Sequence, residues 1–113
     1  MKTFLRENTW LKDYGRIFSH GWGNGYVLIP KDNSLHGKHC YDINVDVHGG
    51  LTFSELVDED MIEIWGLDSE DLGSWCVGFD TAHIGDNPLI WTKESVTEET
   101  ERLKNQLINY DLH

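Results

Sequence analysis

The chain has 113 residues, with 20 acidic and 9 basic side chains and a formal net charge of −11. This length fits one domain, 1–113, and is too short for two full cores. Hydrophobic residues make up 39% of the chain and aromatic residues 12%, which argues against a disordered acidic tail. Apolar runs hold only a few residues, so no membrane span is expected. The charged start, Met1–Glu7, is unlike a secretion signal and favours a cytoplasmic protein.

The net charge of −11 limits the partners that the chain can attract. Nucleic acids and anionic lipids are repelled by it, so we expect no direct nucleic-acid binding and no membrane attachment. The acidity either confers solubility or forms a face that docks on a basic protein, including a groove that normally holds nucleic acid. The densest acidic run before the C-terminal segment holds Asp58, Glu59 and Asp60. These three are therefore the candidate partner-binding residues.

The first half of the chain reads as strands and loops. The segment Phe4–Phe18 mixes aromatic and charged residues and predicts short strand pieces. His20–Gly25 contains three glycines and predicts a turn with positive φ or a close approach to a ligand. Tyr26–Ile29 is rich in β-branched and aromatic residues and predicts a strand that ends at Pro30. Lys31–Tyr41 is polar and rich in histidine, which is typical of a loop.

Four further strand segments are predicted in the middle of the chain. Ile43–Val47 alternates apolar and polar residues, as a strand with one buried face does. Leu51–Phe53 continues in the same way after the glycine pair 49–50. Met61–Trp65 and Trp75–Phe79 are two more candidates, joined by an acidic turn at Asp68–Asp71.

The C-terminal segment predicts a helix. One helical face collects the apolar positions of this segment: Val96, Thr100, Leu103, Leu107 and Tyr110. Ser95 and Glu98 fit a capping box, and Glu98, Glu99 and Glu101 complement the helix dipole. The whole pattern predicts an α+β fold, in which an antiparallel sheet of about four or five strands packs against one C-terminal helix.

Four polar residues follow predicted strands and could converge at one end of the sheet: His48, Asp80, His83 and Asp86. Two imidazoles with one or two carboxylates suit a divalent metal such as Zn, Mn or Fe, and an open position would activate water. The spacing matches no standard metal signature. The plainer alternatives are a turn or N-cap role for Asp80 and a carbonyl-bonded His48.

Two more residues are candidate ligand contacts. Asp46 shares the polar face of its predicted strand with His48. Trp22 stands between glycines, so it is either a stacking platform or interface anchor, or a ring folded back over the sheet. His36, His39 and Cys40 have zinc-type side chains but no zinc spacing, which favours a solvated loop. Cys40 and Cys76 form no CxxC pair, and we expect free thiols, with Cys76 buried and inert.

The strings HGGLTF at His48–Phe53 and GFDTAHIGD at Gly78–Asp86 resemble a family of small uncharacterised proteins of bacteria, their phages and other mobile elements. The resemblance also includes Gly25–Pro30 and the helix that follows Asp86. It implies a mobile-element setting, in which a small protein that blocks or sequesters part of a host defence is expected.

The first functional expectation is a small acidic binding protein without enzymatic activity. It would capture a basic protein or a small ligand such as a nucleotide, and the resemblance suggests an inhibitor of host defence. The alternative is a metal-dependent hydrolase acting on a nucleotide or another small substrate. A structural accessory protein with no pocket is the third. The candidate ligand-binding residues are Trp22, Asp46, His48, Asp80, His83 and Asp86.

Overall fold

A computed structural model describes residues 1–8, 20–83 and 85–110. Within them, four strands form one antiparallel sheet in the order β1-β2-β4-β3. The strands are β1 (Lys2–Glu7), β2 (Gly23–Ile29), β3 (Phe53–Leu56) and β4 (Trp75–Phe79). The helices are α1 (Glu59–Trp65) and α2 (Lys93–Ile108). This arrangement confirms the predicted α+β fold with a C-terminal helix on the sheet.

The central strands β2 and β4 are apolar on both faces because both faces of the sheet are covered. Val27 lies opposite Val77, and these two face the main core beneath α2. Leu28 lies opposite Cys76, and these two face a second, smaller core beneath α1. Burial on both sides explains why these strands read as continuous apolar runs and not as alternating ones.

Helix α2 buries the face that the sequence predicts, including Val96, Thr100, Leu103 and Leu107. The predicted cap at Ser95 is wrong, because the Thr92 hydroxyl accepts the hydrogen bond from the Ser95 amide and α2 begins at Lys93. The helix lies close to β2 because Gly25 has no side chain. A Cβ at that position would collide with the Thr100 hydroxyl and the Phe79 ring.

The predicted strand Met61–Trp65 is wrong, because these residues belong to helix α1. The carboxylate of Asp58 caps its first turn by accepting a hydrogen bond from the Met61 amide, and the helix ends at Gly66 with φ 66°. A strand would place alternate apolar residues on one face, whereas here Ile62 packs on the sheet and Ile64 is 72% exposed. A five-residue segment with four apolar residues fits either structure, and the cap decides between them.

The predicted strand Ile43–Val47 is also wrong, although its alternation is real. Ile43 and Val47 are buried and the residues between them are more exposed, as in an extended chain. The amides of Asp46 and His48, however, donate to side chains of α2, and this segment belongs to no strand pair among the described residues. The Gln106 side chain accepts from the Asp46 amide at 2.8 Å and donates to the Asp46 carbonyl at 2.8 Å. An alternation of buried and exposed residues thus predicts an extended backbone, but it does not predict which groups accept the hydrogen bonds of that backbone.

The remaining expectations for the chain have mixed outcomes. The segment Phe4–Phe18 contributes part of β1, and its residues 9–18 lie outside the described residues. The acidic turn at Asp68–Asp71 contains a short 3-10 helix, Ser69–Asp71. The strand segment predicted at Leu51–Phe53 is shifted along the chain, because β3 spans Phe53–Leu56.

Both cysteines are free, and burial raises the pKa of the Cys76 thiol to about 12. No helix of the described chain is both long and apolar enough to cross a membrane.

Replacing Gln106 by Ala removes both hydrogen bonds that hold the backbone of Asp46 to α2. We expect Gln106→Ala to lower the free energy of unfolding by about 1–2 kcal/mol, since each net bond contributes about 1 kcal/mol. Urea denaturation measures this change. Asn105→Ala, at an exposed position on the same helix, is the matched control and should be neutral. Equal losses in the two variants would contradict this role of Gln106.

Candidate functional site

The candidate site lies where the loop that contains His48 meets the loop that follows β4. The His48 amide donates to a carboxylate oxygen of Glu99 on α2 at 2.8 Å. Val47, the residue before it, is buried in the main core. Gly49 and Gly50 follow with φ of 70° and 77°, a conformation that favours glycine and turns the chain sharply. The His48 backbone is therefore fixed on both sides.

Asp86 is a buried carboxylate at the centre of the site, with only 5% of the residue exposed. His48 Nε2 lies 2.9 and 3.0 Å from its two oxygens, so the imidazole donates to the carboxylate. The His83 amide donates to the same carboxylate at 3.0 Å, and the Asp86 amide donates back to the His83 carbonyl at 3.0 Å. This reciprocal turn fixes Asp86 and His83 relative to each other.

The His83 ring stands edge-on to the His48 ring, with centroids 5.4 Å apart and planes at 74°. Part of the ring is exposed, but its Nε2 atom points inward. Nε2 is the only buried side-chain nitrogen or oxygen in the described chain that lacks a hydrogen-bond partner. Asp80 Oδ1 is 3.2 Å away, which is within hydrogen-bond distance, but the geometry at Nε2 is not that of a hydrogen bond.

Asp80, the residue after β4, is held by two donors. The Thr52 hydroxyl donates to Oδ2 at 2.9 Å, and the Ala82 amide donates to Oδ1 at 3.0 Å. Asp80 thus satisfies a backbone amide in a turn, as the plainer alternative expects. It also brings its carboxylate next to the His83 ring.

Three of the four residues predicted to bind a metal meet in one group. His48, His83 and Asp86 each offer one ligand atom, and these atoms lie within 4.8 Å of one another. Ligands of one metal ion lie about 3–4 Å apart, given bonds of about 2 Å. The His48–Asp86 contact at 2.9 Å already has this spacing, and His83 would have to approach slightly. Asp80 lies beside this group and not within it.

Two residues that sequence reasoning did not assign to the site support His48. The Trp91 ring packs on the His48 ring, with centroids 4.2 Å apart. Glu99 binds the His48 amide and receives two hydrogen bonds from Arg102. The Arg102 guanidinium, together with the His48 amide, holds the pKa of the Glu99 carboxyl below its ordinary value. An open cleft of about 370 Å³ lies beside them, lined in part by Trp91, Glu99 and Arg102.

The sequence does carry a signal for Glu99. Glu99, Arg102 and Gln106 recur at spacings of three and four, so they form one stripe along α2. The sequence pattern attributes Glu99 to the helix dipole, but α2 begins six residues earlier, at Lys93, and the dipole acts mainly within the first turn. In the fold, Glu99 and Gln106 of this stripe bind the backbone amides of His48 and Asp46.

The other two candidate ligand contacts lie apart from this group. The Asp46 side chain is 91% exposed and pairs with Arg102 at 3.2 Å. Trp22 packs against the main core, as the folded-back alternative expects, and Lys93 Nζ lies 5.7 Å from its ring centroid. Among the described residues, neither belongs to the group that could hold a metal.

The remaining candidates serve separate local roles. His36 Nε2 bonds to the Gly73 carbonyl at 2.8 Å, whereas His39 Nδ1 accepts from the Tyr41 amide. Cys40 is buried. Within the described chain, His36, His39 and Cys40 do not form a group that could hold a metal ion. Asp58 caps α1, and the exposed Glu59 and Asp60 occupy its first turn.

Comparisons with known proteins found no matching family model, no matching curated protein and no matching solved structure. The feature of the described chain that points to a function is the geometry of His48, His83 and Asp86.

Gly49 lies directly against the His83 ring, and a Cβ at Gly49 would collide with the imidazole, including its Nε2 atom. Gly50 has nearly the same backbone conformation but open space around it. We expect Gly49→Ala and Gly50→Ala each to lose about 1–2 kcal/mol of stability from the strained φ. Only Gly49→Ala should also displace His83.

Urea denaturation measures the losses in these two variants, and the imidazole NMR signals of His83 report the displacement. Equal shifts of those signals in both variants, or none in Gly49→Ala, would contradict the contact between Gly49 and His83.

Proposed function

We propose that this chain binds a divalent transition metal through His48, His83 and Asp86 and uses it to hydrolyse a small substrate. The observation that carries the proposal is the convergence of two imidazoles and a buried carboxylate from two separate loops, with ligand atoms within 4.8 Å of one another. Two histidines and one carboxylate form a donor set used by Zn, Mn and non-haem Fe sites.

The charge of the site supports a cation as its ligand. Histidines bind metals in their neutral form, so two imidazole ligands and one carboxylate leave a dication only partly neutralised and open to further ligands. A bound dication would also compensate Asp86, which is shielded from water. The net charge of −11 on the whole chain adds a long-range attraction for cations. Three protein ligands leave coordination positions open for water and substrate, and a metal lowers the pKa of bound water toward neutrality.

Metal titration of the chelator-treated protein tests the first half of this proposal. Zn²⁺ and Mn²⁺ are titrated by calorimetry, and Co²⁺ by its visible spectrum. We expect one ion per chain, and a loss of affinity in His83→Gln and Asp86→Asn that is larger than the roughly 10–100-fold typical of residues that only support a ligand. His36→Gln and Asp46→Asn are matched controls outside the group and should bind as the unchanged protein does. Absence of stoichiometric binding, or equal affinity in all variants, would overturn the metal site.

Hydrolysis is tested on the metal-loaded protein with nucleoside triphosphates, bis-p-nitrophenyl phosphate and p-nitrophenyl acetate. Turnover that disappears in His83→Gln and persists in His36→Gln supports the enzyme. A protein that binds one metal ion and turns over none of these probes would overturn the hydrolase and leave a metal-binding protein.

A binding protein for a basic partner is the second candidate, and the charge distribution favours it. The chain has no Lys or Arg between Lys38 and Lys93. Glu59, Asp60 and Glu63 are exposed on α1, and no Lys or Arg of the described chain pairs with them. An unneutralised acidic face of this kind attracts a basic protein surface. The family resemblance adds the proposal that such a partner is a cytoplasmic host-defence protein.

The triple variant Asp58→Asn, Glu59→Gln and Asp60→Asn tests this second candidate. Asn is as good an N-cap as Asp, so α1 should remain folded. The matched control removes three exposed charges elsewhere: Asp42→Asn, Glu94→Gln and Glu98→Gln.

Binding to an oligo-lysine peptide is measured at two salt concentrations. The α1 variant should weaken binding several-fold more than the control and flatten the salt dependence. Equal weakening would mean that only net charge matters and would discard a specific docking face.

A further inference from the structure

We infer that Asp80 is a positioning residue of this site. Its carboxylate accepts a hydrogen bond from Nε2–H of His83, and this leaves Nδ1 of His83 as the atom that binds the metal. The inference rests on the proposed metal site. It assigns Asp80, which lies beside the group of His48, His83 and Asp86, a role different from that of the three ligands.

The Asp80 carboxylate is held in place from two neighbouring strands. Asp80 directly follows β4, and Thr52, which directly precedes β3, donates its hydroxyl to Oδ2 at 2.9 Å. The Thr52 amide also donates to the Gly78 carbonyl at 2.9 Å, so the two chains are joined at this level. The Ala82 amide fixes Oδ1 at 3.0 Å. A carboxylate fixed by such contacts can orient a neighbouring imidazole.

The His83 ring is bounded on three sides. The Gly49 backbone lies against Nε2 so closely that a Cβ there would collide with the ring. The His48 ring meets it edge-on at 5.4 Å between centroids. Asp80 Oδ1, 3.2 Å from Nε2, stands on the third side. A small rotation of the ring would direct the buried N–H at this oxygen, because the two atoms are already within hydrogen-bond distance.

Histidines that bind metals almost always donate their other ring N–H to a carboxylate, a carbonyl or water. This bond fixes the tautomer and the orientation of the ring and raises the basicity of the ligand atom. Asp80 suits this role because it touches His83 but does not belong to the group whose ligand atoms lie within 4.8 Å of one another. Nε2 needs a partner because it is buried and otherwise unbonded.

The tautomer of His83 is the first readout, and it requires no metal. Long-range proton–nitrogen NMR at about pH 8.5, where free imidazole is neutral, should show the proton on Nε2 in the unchanged protein. In Asp80→Ala the two tautomers should become mixed. In Asp46→Ala, the matched control at an exposed carboxylate, the His83 signals should not change. A His83 that carries its proton on Nδ1 in the unchanged protein would overturn the inference.

The second readout is metal affinity, together with the visible spectrum of bound Co²⁺. Asp80→Ala should weaken Co²⁺ and Zn²⁺ binding by about 10–100-fold and change the spectrum. Thr52→Val keeps the shape of the residue, frees only the Asp80 carboxylate, and should give a smaller loss. Unchanged affinity and spectrum in Asp80→Ala would overturn the inference while leaving the metal site intact. If no metal binds but the tautomer depends on Asp80, the metal site fails and the positioning of His83 by Asp80 stands.

Discussion

The attachment of the extended segment 43–48 to α2 is the constraint on which the candidate site depends. Buried Ile43 and Val47 secure this segment in the core. Side chains of α2, and the Tyr110 hydroxyl just after the helix, accept hydrogen bonds from its backbone amides. These bonds satisfy backbone amides that a neighbouring strand would satisfy in a sheet. Since the last of them ends on the His48 amide, the packing of α2 on β2 sets the position of the first imidazole. Helix α2 can pack this closely on β2 because Gly25 has no side chain that would collide with Thr100.

The second half of the site is positioned from the sheet. Strand β4 pairs with both β2 and β3, so its end is one of the more firmly held points in the described chain. Asp80 follows that end, and the reciprocal turn between His83 and Asp86 continues from it. The site therefore joins a point fixed by the helix to a point fixed by the sheet. Such pre-organisation is what a metal site with few ligands needs.

The electrostatic balance of the site separates it from the general acidity of the surface. The exposed acids around α1 are solvated and contribute mainly to a long-range field. Asp86, by contrast, is buried and receives hydrogen bonds from His48 and from the His83 amide. A buried carboxylate has to be compensated locally. A cation could displace or supplement these hydrogen-bond donors. Asp86 and its neighbours are therefore a better candidate for a cation site than the solvated carboxylates around α1.

Sequence alone determined the central strands, the terminal helix with its buried face, and the residue types of the site. Tyr26–Ile29 and Trp75–Phe79 are uninterrupted runs with aromatic and β-branched residues, and the face of α2 is periodic over the whole helix. Burial follows from these patterns. Only the tertiary structure decided that Met61–Trp65 is helical and that Ile43–Val47 pairs with helix side chains. A run of five residues is compatible with more than one conformation, and the choice depends on caps and distant partners. Likewise, sequence placed His48 and Asp80–Asp86 at the ends of elements, but their separation in space depends on how loops from distant parts of the chain pack. Asp80 lies beside the group of His48, His83 and Asp86 and not within it by a matter of a few ångströms, which no spacing along the chain can specify.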